Sequence, residues 1–130
     1  AEKVAREMIT FVGMEDKMNS IVADLTIGDQ RKLEMARALA TKPKLLLLDE
    51  VMAGLTPTEI EDCVELVRKI RTSGVTILMI EHIMAALMKL SDRVVVLDHG
   101  KLIAEGTPQE ITQNERVIES YLGSAYKKEA

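Results

Sequence analysis

The sequence predicts an α/β fold: a mostly parallel sheet with flanking helices and a C-terminal β-hairpin. Three observations predict it. Leu45, Leu46, Leu47 and Leu48 follow Pro43 without a polar break, the pattern of a strand buried on both faces of a parallel sheet. A second apolar run, Val75 to Ile80, reads as another buried strand and is separated from the first by a long helical pattern. Arg93 to Leu97 and Lys101 to Ala104 flank the turn Asp98-His99-Gly100, which makes them a hairpin.

Taken in order, Val4, Met8, Ile9, Phe11 and Val12 give a helix over residues 2–12, stopped by Gly13. Met14 to Ala23 reads as a second, weaker helical stretch. It leads into Leu25-Thr26-Ile27-Gly28-Asp29-Gln30, where Gly28 frees the backbone for a close approach and a helix follows at once. That helix, Asp29 to Thr41, sets Leu33, Ala36, Leu39 and Ala40 on one face, with Arg31, Lys32, Glu34 and Arg37 largely on the other. Lys42-Pro43-Lys44 ends it and opens the leucine strand. Beyond Glu50, Val51 to Leu55 is a loop. Thr56-Pro57-Thr58-Glu59 then combines a cap, a first-turn proline and a glutamate three residues on, the capping box of a new helix. Ile60, Val64, Val67 and Ile70 with Arg71 form its stripe, Ser73-Gly74 closes it, and its Met and Cys neighbours are core filler. Ile83 to Leu90 is a short apolar helix. Thr107-Pro108-Gln109-Glu110 repeats the capping box, Val117 to Tyr121 is a helical end, and Ala125 to Ala130 is expected to fray.

Composition narrows the class. At 130 residues the chain suffices for one domain with a core, and 47% hydrophobic with 29% charged residues is the balance of a soluble globular protein. Aromatics make up 2%, so the core must be built from Leu, Ile, Val, Met and Ala. A net charge of −4 argues against nucleic acid as the main partner. The single Cys63 excludes a disulfide framework and fits a reducing interior. No secretory signal is visible, and no run approaches the ~20 apolar residues of a spanning helix. The chain opens without methionine, directly inside an amphipathic pattern, which suggests a fragment of a larger protein.

Chemistry concentrates at Asp49-Glu50. In open α/β sheets ligands bind at the carboxyl ends of strands, and this acidic pair stands where the leucine strand ends. Asp49 could hold Mg²⁺ through its oxygen, and Glu50 could orient or deprotonate a water. On these residues alone, an ordinary surface pair opening a loop is an equal reading. Thr26 and Gly28 offer a hydroxyl and N–H groups to an anion at a helix start, although a plain capped start is the simpler account. His82, beside Glu81 at the end of the second strand, is placed either to contact a phosphate or to sit as a satisfied core group. His99, in the hairpin turn, reads as solvated.

Together these pieces resemble the second half of an ATP-binding cassette (ABC) ATPase. Leu25 to Gln30 resembles the family signature, usually Leu-Ser-Gly-Gly-Gln or Leu-Ser-Tyr-Gly-Glu-Gln. Leu45 to Glu50 resembles Walker B with its catalytic glutamate, Ala53-Gly54-Leu55-Thr56-Pro57 the D-loop, and His82 the switch histidine. The four elements stand in family order, and the resemblance spans nearly the whole chain. The wording from Leu25 to Ala40, Ala53 to Glu59, Ile80-Glu81-His82 and Val117 to Gly123 is similar to the ATP-binding subunits of branched-chain amino acid importers. Val51 departs from the usual proline after the glutamate, and Thr26 replaces serine while keeping the hydroxyl. No G-x-x-x-x-G-K-[ST] phosphate loop occurs in these residues, and the resemblance puts it, the adenine-stacking aromatic and the Q-loop upstream.

The resemblance implies a partial P-loop NTPase fold lacking the Walker A half. It divides the chain into the end of a helical subdomain with the signature (1–43), catalytic core strands (44–106) and C-terminal helices (107–130). It implies ATP and Mg²⁺ as cofactors of the full-length protein, none bound tightly by these residues alone. Asp49 would hold Mg²⁺ through a water, Glu50 would polarise the attacking water, and His82 would contact the γ-phosphate. Leu25, Thr26, Ile27, Gly28 and Asp29 would face ATP held on a second cassette, with Ala53, Gly54, Leu55 and Thr56 as the D-loop. The implied partners are a second ATPase subunit and membrane permease subunits at the cytoplasmic face of the cell membrane, with no nucleic acid. The Walker A strand would lie beside the His82 strand. Without it a hydrophobic edge is expected, and with that edge a homo-oligomer or strand-exchanged dimer. A non-transport ABC ATPase, or an inactive interaction module, is the alternative.

Overall fold

Helix α1 (Glu2–Phe11) ends as expected at Gly13, whose φ of 78° only glycine adopts freely. The computed structural model describes residues 1–122, so the expected fraying from Ala125 to Ala130 lies outside the described residues. The chain forms two compact units, one from Ala1 to Ile83 and one from Met84 onward.

In the first unit α1 is followed by two single turns, Glu15–Lys17 and Val22–Asp24, where a second helical stretch was expected. Neither turn buries a residue, and Ile21 and Val22 remain 69% and 56% exposed, so no apolar face exists to hold a longer helix down. Helix α2 (Ile27–Leu39) begins two residues earlier than predicted, because Thr26 serves as its N-cap. Its buried face is Gly28, Asp29, Met35, Ala36 and Leu39; Leu33 is only half-buried and Ala40 is exposed.

Strand β1 (Leu45–Asp49) and strand β2 (Thr76–Ile80) pair in parallel with Leu45 opposite Thr76 and Asp49 opposite Ile80. The connection between them is α3 (Pro57–Thr72), opened by the predicted capping box and buried through Cys63, Val64, Leu66, Val67 and Ile70. Lys69 anchors α1 to α3: its ammonium donates to the Phe11 carbonyl at 2.7 Å and lies 4.2 Å from the centroid of the Phe11 ring.

The expectation of strands buried on both faces is corrected. Leu46 and Leu48 are buried, whereas Leu45 and Leu47 are 54% and 64% exposed, and Leu78 and Ile80 are each 59% exposed. A strand alternates its side chains, and the helices of this unit cover one face only. Among the described residues, the parallel pair and the hairpin are separate two-stranded sheets.

The second unit starts with α4 (Met84–Leu90). Strands β3 (Val94–Asp98) and β4 (Lys101–Gly106) form the predicted antiparallel hairpin, with a register shift between Val96 and Leu97. His99 and Gly100 turn the chain at φ 48° and 76°, two successive positive values as a tight hairpin turn demands. Val94 and Val96 join Ile111 of α5 (Pro108–Gln113) and Val117 of α6 (Glu115–Val117) in a small core. A π-type turn over Ile118–Leu122 follows, and the Tyr121 hydroxyl donates to the Leu97 carbonyl.

Candidate functional site

The carboxyl ends of β1 and β2 bring together four polar side chains that the sequence separates by about thirty positions. The parallel register puts Asp49 level with Ile80, so Glu50 follows one strand where Glu81 and His82 follow the other. The Glu50 N–H donates to the Ile80 carbonyl at 2.9 Å, continuing the ladder one residue past the strand. Its φ of 49° is left-handed, a conformation costing a non-glycine residue about 1–2 kcal/mol. The ladder bond holds it there, and strained backbone of this kind concentrates at functional sites.

Glu50 and His82 meet. Glu50 Oε1 lies 3.5 Å from His82 Nδ1, with the two side chains 55% and 62% exposed. Glu81 approaches the same nitrogen, its Oε1 at 3.5 Å, and it also accepts the His82 main-chain N–H at 3.0 Å. Unlike Glu50, the Glu81 side chain is fully buried, and its Oε2 has no hydrogen-bond partner. Cys63 of α3 lies near this carboxylate. Burial first, then the Glu81 charge, push its thiol up to about 11, against the opposing pull of Lys32 and Arg31. Cys63 is thus an inert core group, as the sequence suggested.

The D-loop runs from Ala53 to Thr56, and Gly54 takes a φ of 77°. It ends on the α3 capping box, in which Glu59 N donates to Thr56 Oγ1 at 3.2 Å and Thr56 N to Glu59 Oε2 at 2.9 Å. Met52, one residue earlier, is wholly buried and anchors the loop, while Val51, in place of the usual proline, is half-buried.

The signature run forms the start of α2. Leu25 is half-buried and its carbonyl accepts from Gln30 Nε2 at 3.2 Å; Thr26 and Ile27 are exposed; Gly28 and Asp29 are buried. Asp29 N donates to Thr26 Oγ1 at 3.1 Å, and the Asp29 carboxylate pairs with Lys17. Burial raises the Asp29 carboxyl, but the Lys17 and Thr26 hydrogen bonds and the Lys17 and Lys32 charges outweigh it and leave the group below its usual value. Among the described residues, no hydrogen bond or ion pair joins residues 25–29 to Asp49, Glu50 or His82, so the two clusters stand as separate surfaces of one unit. Residues 25–29 instead approach the start of α3: a side chain at Gly28 would meet the Glu59 carboxylate at 3.2 Å.

Three participants escaped the sequence reading. Lys17 sits twelve positions from Asp29 in a stretch expected to be helical, and no local pattern marks the pair. The Gly28–Glu59 approach joins two motifs read separately. Glu81 was noted only as a neighbour of His82.

The residue that could hold a metal is Asp49. Among the described residues no group of three or more His, Cys, Asp or Glu side chains converges as a cage. Asp49 offers one exposed carboxylate, a hard-oxygen donor of the kind that suits Mg²⁺, which keeps most of its waters and shares its ligation with substrate phosphates.

Comparison with known proteins identifies the family. Residues 1–53 match the ABC transporter family model, and residues 101–127 match that of the branched-chain amino acid ATP-binding cassette transporter. The chain is 41% identical over 126 residues to the high-affinity branched-chain amino acid transport ATP-binding protein BraF of Pseudomonas aeruginosa, covering 96% of this chain and 49% of that protein. It is 44% identical over 115 residues to LivG of Escherichia coli, of the same description, covering 88% and 45%. The lipopolysaccharide export system ATP-binding protein LptB of Escherichia coli is 36% identical over 126 residues, covering 97% and 52%. The chain therefore spans about half the length of the curated relatives it matches. Among solved structures, the ADP conformation of an ATP-binding cassette of an ABC transporter superposes with a TM-score of 0.85 at 28% identity, over 94% of this chain and 50% of that one. A nucleotide-free ATP-binding cassette gives 0.84 at 27% identity, over 94% and 50%. On sequence and fold alike, the chain belongs to the ATP-binding cassette family of transporter ATPases.

Proposed function

We propose that this chain is the part of an ABC importer ATPase that carries the hydrolytic carboxylate, the switch histidine and the signature, and that the importer takes branched-chain amino acids. The approach of Glu50 to His82 at the paired strand ends carries the reading. A dispersed anionic transition state calls for a base, a metal and hydrogen-bond donors converging on it. Here Glu50 polarises the attacking water, and His82 is within reach of the same reacting group. Asp49 would hold Mg²⁺ through a water, and the ion would supply positive charge against that of the phosphates. Thr26 and Gly28, flanked by Leu25, Ile27 and Asp29, present the start of α2 to nucleotide on a second cassette. Ala53, Gly54, Leu55 and Thr56 form the D-loop beside it. By function the chain divides into the signature-bearing end of the helical subdomain (1–43), catalytic core strands (44–106) and C-terminal helices (107–130).

The partners are a second ATPase subunit and membrane permease subunits, which place the protein peripherally on the cytoplasmic face of the cell membrane. No described helix is long and apolar enough to cross one. The names of BraF and LivG support the amino acid solute, and the similarity to LptB keeps lipopolysaccharide export as the second reading. The test is uptake of radiolabelled leucine by cells whose only copy of the complete protein carries Glu50→Gln. Uptake falls to background in the variant and a permease co-purifies with the wild type; uptake equal to wild type would sink the reading.

The 130 residues alone hold no phosphate cradle with its lysine, so they turn over no ATP. Phosphate release with ATP and Mg²⁺ above a Glu50→Gln control would overturn this. The isolated chain associates with itself, as a homo-oligomer or strand-exchanged dimer, because Leu45, Leu47, Leu78 and Ile80 lie more than half exposed beside strands paired along one edge only. A monodisperse monomer in light scattering would refute it.

A further inference from the structure

Glu81 is the one carboxylate at the strand ends whose placement the proposed function does not use. Its side chain is fully buried, one of its oxygens has no partner, and its position follows a strand where an apolar residue would satisfy packing. A buried, half-satisfied carboxylate is destabilising, and such a group calls for an account of what holds it there. The Cys63 thiol of α3 feels its charge, as it feels those of Lys32 and Arg31 of α2, and Arg31 Nε is likewise buried without a hydrogen-bond partner. Among the described residues its polar contacts go to one residue: Glu81 Oε1 takes the His82 main-chain N–H at 3.0 Å and stands 3.5 Å from His82 Nδ1.

We infer that Glu81 is a positioning residue for His82. Its buried carboxylate grips the backbone of an otherwise exposed histidine and, with Glu50 near the same nitrogen, holds Nδ1 toward the two carboxylates, which leaves Nε2 as the other, free nitrogen. Two carboxylates on one nitrogen select the imidazole tautomer with the proton on Nδ1, leaving Nε2 as the free face of the ring. The geometry stands on the chain itself; its use toward a phosphate rests on the reading of His82 given above.

The chain contains two histidines, so nitrogen NMR of the labelled protein resolves each, with His99 as internal reference because its Nδ1 pairs with Asp98 at 2.9 Å far from these groups in sequence. Spectra at alkaline pH, with imidazoles neutral, report the tautomer ratio, and the amide spectrum reports the main-chain bond. In wild type His82 favours the Nδ1-protonated form. Glu81→Gln keeps an oxygen for the His82 N–H but loses the charge, so the amide resonance stays while the tautomer ratio falls about threefold. Glu81→Met, of similar bulk, loses both. Glu50→Gln moves the ratio and leaves the amide. A His82 tautomer ratio and amide resonance unchanged in Glu81→Gln and Glu81→Met would overturn the inference and leave Glu81 as a core group. Should Glu81→Met not fold, the tautomer ratio in Glu81→Gln decides alone. None of these readouts depends on nucleotide, so loss of the transporter reading and loss of this one are distinguishable.

Discussion

The starts of α2 and α3 use the same hydroxyl cap and end in different hands. At both, a threonine oxygen accepts from the backbone N–H three residues on, Thr26 from Asp29 at 3.1 Å and Thr56 from Glu59 at 3.2 Å. At α3 the third residue is glutamate, long enough to return to the Thr56 N–H and seal the helix within four residues. At α2 it is aspartate, one methylene shorter, and its carboxylate turns to Lys17, twelve positions away. The α3 start, behind the D-loop, is thus a local structure, whereas the α2 start, bearing the signature, depends on a tertiary ion pair. Thr107 and Glu110 repeat the closed arrangement at α5, so the open start of α2 is the exception among these three.

The largest expected effect asks whether a sealed start carries its helix or only trims it. Ile70 of α3 is wholly buried, and Ile70→Ala removes its side chain from the core at about 3–4 kcal/mol. Thr56→Ala opens the box at about 1 kcal/mol. Chemical denaturation of both variants sets the scale; a Thr56→Ala loss as large as that of Ile70→Ala would mean that the box, not the core, holds α3.

The second effect belongs to α2 alone. Asp29 has its carboxyl held below the ordinary 3.8, and Lys17 has its ammonium raised above 10.5 by the Asp29 hydrogen bond. A carboxyl lowered by folding stabilises fully above 3.8 and loses that contribution as pH falls through the lower folded value. An ammonium raised by folding stabilises fully below 10.5 and loses it as pH rises through the higher folded value. The stability difference between wild type and Lys17→Met is therefore flat between those limits and vanishes outside them, as denaturation midpoints across pH will read. The same series on Thr56→Ala shows no such window. A pH-independent Lys17→Met difference would erase the distinction between the two starts.

This contrast also marks what the sequence discloses. Both sealed starts, the strand carrying Asp49-Glu50, the hairpin and the level of His82 were legible, because each is written within a few residues as a turn chemistry, a periodicity or a strand end. The pairing of Lys17 with Asp29 was not, since the signal at Met14 to Ala23 was a weak periodicity, and the two short turns formed there bury no residue. The bare face of the parallel pair was not legible either. Four consecutive leucines look alike whether one face or two are covered, and only Leu46 and Leu48 are buried. At the site, composition named Glu50 and His82 but could not distinguish the exposed Glu50 from the buried Glu81, because burial is a property of neighbours.

The smallest expected effect lies where the two starts touch. A Cβ added at Gly28 would meet Glu59 Cδ and Oε1 at 3.2 Å and Cγ at 3.3 Å, closer than ordinary contact by a few tenths of an ångström. Alanine favours a helix over glycine by about 1 kcal/mol, so the two terms oppose each other and Gly28→Ala changes stability by no more than about 0.5 kcal/mol. What it changes is α3. If the Glu59 carboxylate yields, the Thr56 N–H loses its acceptor and its hydrogen exchange quickens about fivefold, the equivalent of one ordinary hydrogen bond. Glu59→Ala removes the obstacle, and in that background Gly28→Ala becomes stabilising by its helix preference alone. The cycle of single and double variants measures the coupling directly. Additive effects would show the starts of α2 and α3 to be neighbours without influence on one another.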